Sequence, residues 1–518
     1  LASPGLPAPV LKNAPTLKTP RTGHGSQISP GPSQGWLDQM RPPCLVDSSR
    51  DLSDCITAIL AESGVEEHTG IHKVWDLNVG DEQDLGTSAS ANTGAGSGRP
   101  VLSAIADIDA SLIRDKGEIL DRARCALGSA SEEDFLRAWH AHTALTDPAG
   151  RVVQHLRAAA GAEQCTHAWV KMFHFLNAFQ ELVSVRDRED EDGVVRAGKP
   201  EDDAGRELCS LHLCEAPGSF VAALNHFLRT KRPALEWRWL ASTLIGDAGP
   251  GDDEAGAAKL QRDPIAQRLA TGRQRRSTSS LIRSTLDSWY FGADGSGDLL
   301  RRGNVAALRA RARAALGRAG LVTADGSVDC SRDPAHQERD VAPLLRAEAV
   351  CALGVLARGG ALVLKLFTFA APPTLATLRL LSERFARVVL AKPPTSRQGN
   401  SEVYAVCCGF RGLAGEGASE AEEEAAWELL LSRLDPPGGQ EGGGSGEAEE
   451  SWSATAWLAN VERGARLFAR MQTEAMRANC ALWERALAVQ PGRGAQANAG
   501  DRAPCYAGRD AHRSPHPS

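Results

Sequence analysis

Short apolar runs and stretches of three-to-four spacing alternate through the middle of this chain. Strand-like runs fall at residues 211–213, 237–244, 320–323, 361–367, 385–391 and 403–410. Helical spacing fills the gaps, most clearly at 219–228, 337–357 and 373–385. Strands alternating with helices predict an α/β fold with a mostly parallel, doubly wound sheet. Upstream, over 101–205, apolar positions recur at three and four in LSAIADIDASLIRDKGEILDRARCAL, EEDFLRAWHAHTAL and THAWVKMFHFLNAFQELV, predicting a helical extension. Downstream, 412–490 reads as an acidic helix at 419–434, a Gly/Glu linker at 436–450 and an amphipathic helix at 452–489 that packs on the core or on another protein.

The flanks look different. Residues 1–100 are rich in Pro, Gly, Ser and Ala, and the tail at 491–518 is polar. Neither has enough apolar surface for a core, so both are expected to be disordered, with Trp36 and the IHKVWDL stretch around Trp75 as isolated islands. The Gly-, Asp- and Arg-rich segment 246–280 reads as a surface insertion in the α/β block, which then spans 206–411. The chain opens at Leu1 rather than Met, so an N-terminal segment is expected to precede it.

One strand–turn–helix unit carries candidate chemistry. LHLCEAPGSFVAALNHFL, residues 211–228, places an acidic-Ala-Pro-Gly turn between a strand and a helix. A Gly there lets a ligand approach the backbone, the helix N-terminus presents N–H groups, and Glu215 stands at the carboxyl edge of the sheet where such folds bind ligands. The turn lacks G-x-G-x-x-G and G-x-x-x-x-G-K-[ST], which points away from pyrophosphate and NTP. S-adenosylmethionine, a nucleoside cofactor without a phosphate chain, is then the leading candidate. The plain alternative is an ordinary strand–helix connection.

Four polar residues interrupt the apolar pattern. Lys365 lies inside GGALVLKLFTF, Asp325 ends LVTAD, Lys171 interrupts AWVKMFHFL and Glu402 opens SEVYAVCCGF. Desolvation lowers a lysine's pKa, which makes Lys365 a candidate general base. Singly, each has an ordinary explanation: a strand-end lysine reaching water, an Asp capping a turn, a helical lysine on a solvated face. Together on one sheet edge they suggest a site.

Composition narrows the classes. Net charge is −7 over 518 residues, against a generally basic nucleic-acid coat, yet arginines cluster at 301–318, readable as a solvated helix face or an RNA contact. Twelve cysteines occur without any C-x-x-C spacing, against a zinc module or disulfide framework and for a reducing, intracellular setting. No run of eighteen apolar residues exists, so no membrane span is expected.

HLCEAPGSFVAALNHFL, WRWLASTL, DSWYFGADGSGDLL, LVTADGSVDC, GGALVLKLFTF and KPPTSRQGNSEVYAV resemble, in order, segments of the RrmJ/FtsJ-type ribose 2'-O-methyltransferases, closest to the Adrift-type cap 2'-O-methyltransferases. The resemblance runs from about residue 135 to 410. It implies a Rossmann-like, S-adenosylmethionine-dependent methyltransferase fold with an antiparallel last strand, no metal, and capped mRNA as partner. The expected activity is methylation of the second transcribed nucleotide, in nucleus or cytoplasm. The first cap nucleotide, tRNA or rRNA are alternative substrates, and a catalytically silent RNA-binding protein is the alternative of another class. The family's Lys-Asp-Lys-Glu tetrad falls on Lys171, Asp325, Lys365 and Glu402, with Lys365 as base. Its cofactor positions fall on Gly218 and Trp237, with Glu215, Ala216, Pro217 and Phe220 around them. The resemblance departs at IGDAGPGDDEAG, where the family has Asn-Pro-Tyr, and at Ser279-Ser280, where it has Asp-Arg, so contacts from that side are not carried over. The family's second, silent methyltransferase-like domain is not legible after Phe410. WYFG, residues 289–292, reads as core packing or as an RNA stacking surface.

Overall fold

The computed structural model describes residues 73–77, 101–128, 130–159, 162, 164–187, 194–197, 199, 201, 203–245, 280–328, 330, 336–415, 417–434 and 456–488. Most of residues 1–100, nearly all of the 246–280 insertion, the 436–450 linker and the 491–518 tail lie outside them, as does Trp36.

The strands are β1 (Lys73–Asp76), β2 (Ser184–Asp187), β3 (Arg196–Ala197), β4 (Arg206–Leu213), β5 (Glu236–Ala241), β6 (Ala319–Ala324), β7 (Leu356–Phe367), β8 (Phe385–Lys392) and β9 (Glu402–Phe410). The helices are α1 (Val101–Leu127), α2 (Glu132–Leu145), α3 (Pro148–Ala159), α4 (His167–Ala178), α5 (Ser219–Lys231), α6 (Ser280–Ser284), α7 (Arg302–Leu316), α8 (Gln337–Val355), α9 (Pro372–Arg384), α10 (Glu420–Ser432) and α11 (Ala456–Ala488). The sheet runs β1-β8-β9-β7-β6-β4, and β4 pairs β5 beyond. Strands β4 to β7 are parallel, and the last strand, β9, inserts antiparallel between β7 and β8. The hairpin β2–β3 joins the start of β4.

Two-residue periodicity sorts side chains to two faces. On one face Leu211, Leu213, Val322, Leu362, Leu364, Leu390, Ala405 and Cys407 join a core closed by α7, α8, α9 and α11. On the other, Leu208, Leu321, Ala361, Val363, Val389, Tyr404 and Val406 pack against α4 and α5 through Trp169, Phe173, Phe175, Phe220 and Leu224. Cys407 and Cys408 therefore face opposite sides. By the same parity Asp325, two beyond Thr323, Lys365, two beyond Val363, and Glu402, two before Tyr404, all project toward the face that α4 covers.

Two segments outside the central block complete this frame. The Trp75 island is the edge strand β1, antiparallel to β8. The Trp75 indole N–H donates to Asn460 Oδ1 of α11 at 3.0 Å, and Asn460 Nδ2 returns a bond to the Asp76 carbonyl. Helix α11 packs on the body of the chain: it runs parallel to α1, where Trp483 Nε1 donates to the Ala123 carbonyl and Arg122 pairs with Glu484. The arginine run divides: Arg301 and Arg311 are exposed, while Arg309, Arg313 and Arg318 are engaged with α10. Arg309 holds Glu424 at 2.5 Å and stacks on Trp427 at 3.8 Å, while Arg313 and Arg318 hold Glu420, latching α7 to α10. Trp289 and Phe291 are buried in a small cluster, so WYFG is core packing. Among the described residues no helix is long and apolar enough to cross a membrane.

Candidate active site

The four pattern-breaking residues meet. Thr166 caps α4 by accepting the Trp169 N–H, which fixes the helix start one turn before Lys171. Lys171 Nζ then lies 2.5 Å from Glu402 Oε1, with both groups buried. Lys365 Nζ lies 3.4 Å from Asp325 Oδ1 and 3.8 Å from Glu402 Oε2. Asp325, its side chain 18% exposed, is the most open of the four; the Lys171 and Lys365 side chains are equally buried and Glu402 more so. The parallel strand ends β6 and β7 and the start of antiparallel β9 put these groups at one edge. That is the carboxyl edge of the parallel strands, where open α/β sheets bind ligands.

Charge balance tunes the cluster. Burial alone would raise the Glu402 carboxyl, but Lys171, Lys365 and the Ser396 hydroxyl (2.6 Å) outweigh it and hold the group down to about 2. Burial alone would lower Lys365, and here the expectation of a depressed lysine fails. Asp325, Glu402 and Glu348 together outweigh desolvation, and the Lys365 pKa is raised above its ordinary value. A lysine facing several carboxylates keeps its proton more tightly, not less.

The acidic turn is built differently from a phosphate cradle. Glu215 is buried, and its Oε1 accepts the N–H groups of Phe220 and Val221 at 2.7 and 3.1 Å. Two N–H groups of the α5 start, those of Phe220 and Val221, are therefore taken internally rather than turned to a ligand. Burial, reinforced by Asp325, pushes the Glu215 carboxyl up to about 8. Gly218 has φ of +104°, and a Cβ there would come within 2.4 Å of Leu281 Cδ2, so both conformation and space call for glycine. Ala216 and Pro217 are half-exposed beside it. The Thr166 hydroxyl bonds the Ser219 hydroxyl at 2.9 Å, joining the turn to the Lys171 helix. With the Phe220 and Val221 donors taken and Asp325 close enough to act on Glu215, the turn suits a cationic nucleoside cofactor better than a phosphorylated one.

Two expected shell residues stand elsewhere. The Phe220 ring is fully buried, 6.5 Å from the Tyr404 ring, and contributes backbone and core packing rather than an open surface. Trp237 lies in the first half of β5, opposite Leu208, with its indole N–H on Ser210 Oγ at 2.8 Å. Trp239, two residues nearer the carboxyl edge, packs against the small cluster of Ala241, Ile245, Ile282, Trp289 and Phe291, as Ala216 of the turn does. The two indoles stack at 5.9 Å, so the aromatic face continues from one to the other.

The pattern did not single out four further residues here. Tyr404 donates its hydroxyl to Asp325 Oδ1 at 2.8 Å. Ser396 bonds Glu402, and the buried Lys392 ammonium holds the Asn400 side chain and the Asn400 and Glu402 carbonyls. Glu348 lies behind Asp325, bonded to the next residue's N–H. In sequence Tyr404 passes for a core aromatic and Lys392 for a strand end; only the antiparallel crossing of β9 brings both to the cluster.

Residues 166–410 match the model of the family described as FtsJ-like methyltransferase. Cap-specific mRNA (nucleoside-2'-O-)-methyltransferase 2 of Danio rerio is 40% identical over 282 residues, covering 54% of this chain and 33% of that protein. The proteins of the same name from Mus musculus and Drosophila melanogaster are 36% and 35% identical, covering 54% and 55% of this chain and 31% and 35% of theirs. The chain thus spans about a third of the length of these curated relatives. A solved structure of a ribosomal RNA methyltransferase from Plasmodium falciparum overlaps 39% of this chain and 86% of its own at 12% identity, with a TM-score of 0.21 too low to bear on the fold. The agreement of matched span, strand order and clustered side chains has one outcome: residues 166–410 are an FtsJ-like methyltransferase domain.

Proposed function

We propose that this chain methylates the ribose 2'-hydroxyl of capped mRNA with S-adenosylmethionine, at the second transcribed nucleotide. The observation that carries the reading is the convergence of Lys171, Asp325, Lys365 and Glu402 beside the Gly218 turn. When bound, the cofactor supplies an electrophilic methyl on a sulfonium, so the protein has only to align the sugar oxygen and take its proton. Glu215, Ala216, Pro217 and Gly218 would hold it, with Trp239 closing the β5 side.

Lys365 Nζ accepts the 2'-hydroxyl proton. Asp325 fixes the amine from 3.4 Å, and Tyr404 fixes Asp325 in turn. Glu402 compensates the ammonium that forms, and Lys171 holds Glu402 in place. The arrangement makes Lys365 a strong base that is seldom free at neutral pH, so turnover rises with pH. The names of the relatives support the cap as target.

Methyl transfer from labelled cofactor tests the reading on three RNAs: uncapped, capped without ribose methylation, and capped with the first ribose already methylated. Transfer to the last alone, mapped to the second nucleotide, supports it. Equal transfer to uncapped tRNA or rRNA, or none to any RNA, overturns it.

A further inference from the structure

Helix α8 brings one more carboxyl group to the back of the site. Glu348 is 1% exposed, and its Oε1 accepts the Gly326 N–H at 3.1 Å. Gly326 directly follows Asp325. The approach is close, because a Cβ on Gly326 would come within 2.4 Å of that oxygen. The Cys214 thiol lies close enough to the same carboxyl that each shifts the other's protonation. Cys214 is the first residue beyond β4, held in left-handed backbone at φ +54° that side chains other than glycine seldom adopt. One buried side chain therefore grips the residue that opens the cofactor turn and the residue that follows Asp325.

Its surroundings are titratable on several sides. Cys214 after β4, Asp325 after β6, Lys365 in β7 and Cys351 one turn along α8 all act on Glu348 or are acted on by it. Burial first, then Asp325, pushes the Glu348 carboxyl up to about 7, while Lys365 pulls it down. Glu348 in turn favours the ammonium form of Lys365. A buried carboxyl used for helix packing alone would not need a lysine from the opposite face of the sheet.

We propose that Glu348 is a positioning residue for the methyl transfer: it ties the Cys214 turn to the Asp325 loop and, as a third carboxylate behind Lys365, sets how tightly that amine holds its proton. The inference rests on the reading that Lys365 accepts the ribose proton. The test is Glu348→Gln, which keeps the acceptor for Gly326 and removes the charge. Single-turnover methyl transfer to capped RNA is followed against pH with cofactor saturating. Above about pH 7, where Glu348 carries its charge, the rising limb of the variant is expected to lie at lower pH by up to on the order of one unit, and to rejoin the wild type below it, a pattern that a packing role would not produce. A limb that coincides with the wild type above about pH 7 as well, in a folded, active variant, overturns the inference. Should Glu348→Gln not fold, Cys214→Ala tests the other tie. It is expected to raise KM for the cofactor a few-fold with the limb unmoved, and an unchanged KM overturns the inference. A wild-type chain inert on capped RNA removes the reading beneath both and the inference with it.

Discussion

Replacing Glu402 by glutamine isolates the electrostatic heart of the cluster. The wild-type carboxylate sits 2.5 Å from Lys171 and 3.8 Å from Lys365, and all three groups are largely out of water. The neutral amide would leave two ammonium groups facing each other with Asp325 as their nearest compensation. Removing one partner of a buried ion pair costs about 3–5 kcal/mol. The Glu402 carboxyl offers an independent route to the figure: it falls from an ordinary value of 4.5 to about 2. At about 1.4 kcal/mol per unit, that displacement corresponds to roughly 3 kcal/mol. The sign follows from a folded pKa below the unfolded one. The contribution is complete above about pH 5 and fades as pH falls toward 2. Urea unfolding of the wild type and Glu402→Gln at pH 7 and at stepwise lower pH measures it. A deficit of about 3 kcal/mol at pH 7 that shrinks below pH 4 is expected. A deficit under about 1 kcal/mol, or one that does not change with pH, refutes the account of the cluster.

Other perturbations bear on separate parts of the structure. With Glu215 pushed up to about 8, uptake of a cationic cofactor at pH 7 requires that carboxyl to lose its proton. Affinity should therefore rise up to about tenfold per pH unit from pH 6 and level off above about 8, with protons released in calorimetry at pH 7. Glu215→Gln should flatten the profile, and a flat wild-type profile contradicts the assignment. Arg309→Ala removes the Glu424 pair, the bond to the Gly354 carbonyl and the stack on Trp427. It should lower stability by about 1–3 kcal/mol while leaving RNA affinity unchanged. A selective loss of RNA affinity would instead make the arginine run a nucleic-acid contact.

Parity made much of the site legible in the sequence. Lys365 and Glu402 sit at positions whose neighbours two residues away are core, so their charges had to lie on one known face, and α4 supplied the matching lysine. What parity could not give was the sign of the Lys365 shift. Desolvation can be guessed from an apolar run, whereas the opposing carboxylates come from separate strands and a helix. Trp237 shows a different limit: in WRWLAS both tryptophans share a face, and only the register with β4 tells which stands nearer the turn. The Trp75 island had too few residues to announce a strand, because its stability comes from pairing with β8 and from Asn460, more than 380 residues on. The arginine run misled for a similar reason. Its partners Glu420 and Glu424 lie about 100 residues away, and helix spacing alone does not reveal them.

The most direct test of the central claim is methyl transfer to capped RNA by Lys365→Ala beside the wild type, with cofactor affinity measured on the same preparations. The account predicts that transfer is lost while cofactor affinity stays within a few-fold. It also predicts a wild-type rate that climbs through neutral pH without a plateau, as a base held above its ordinary pKa requires. Transfer that persists in the variant, or a wild-type plateau near pH 7, would contradict Lys365 as the proton acceptor.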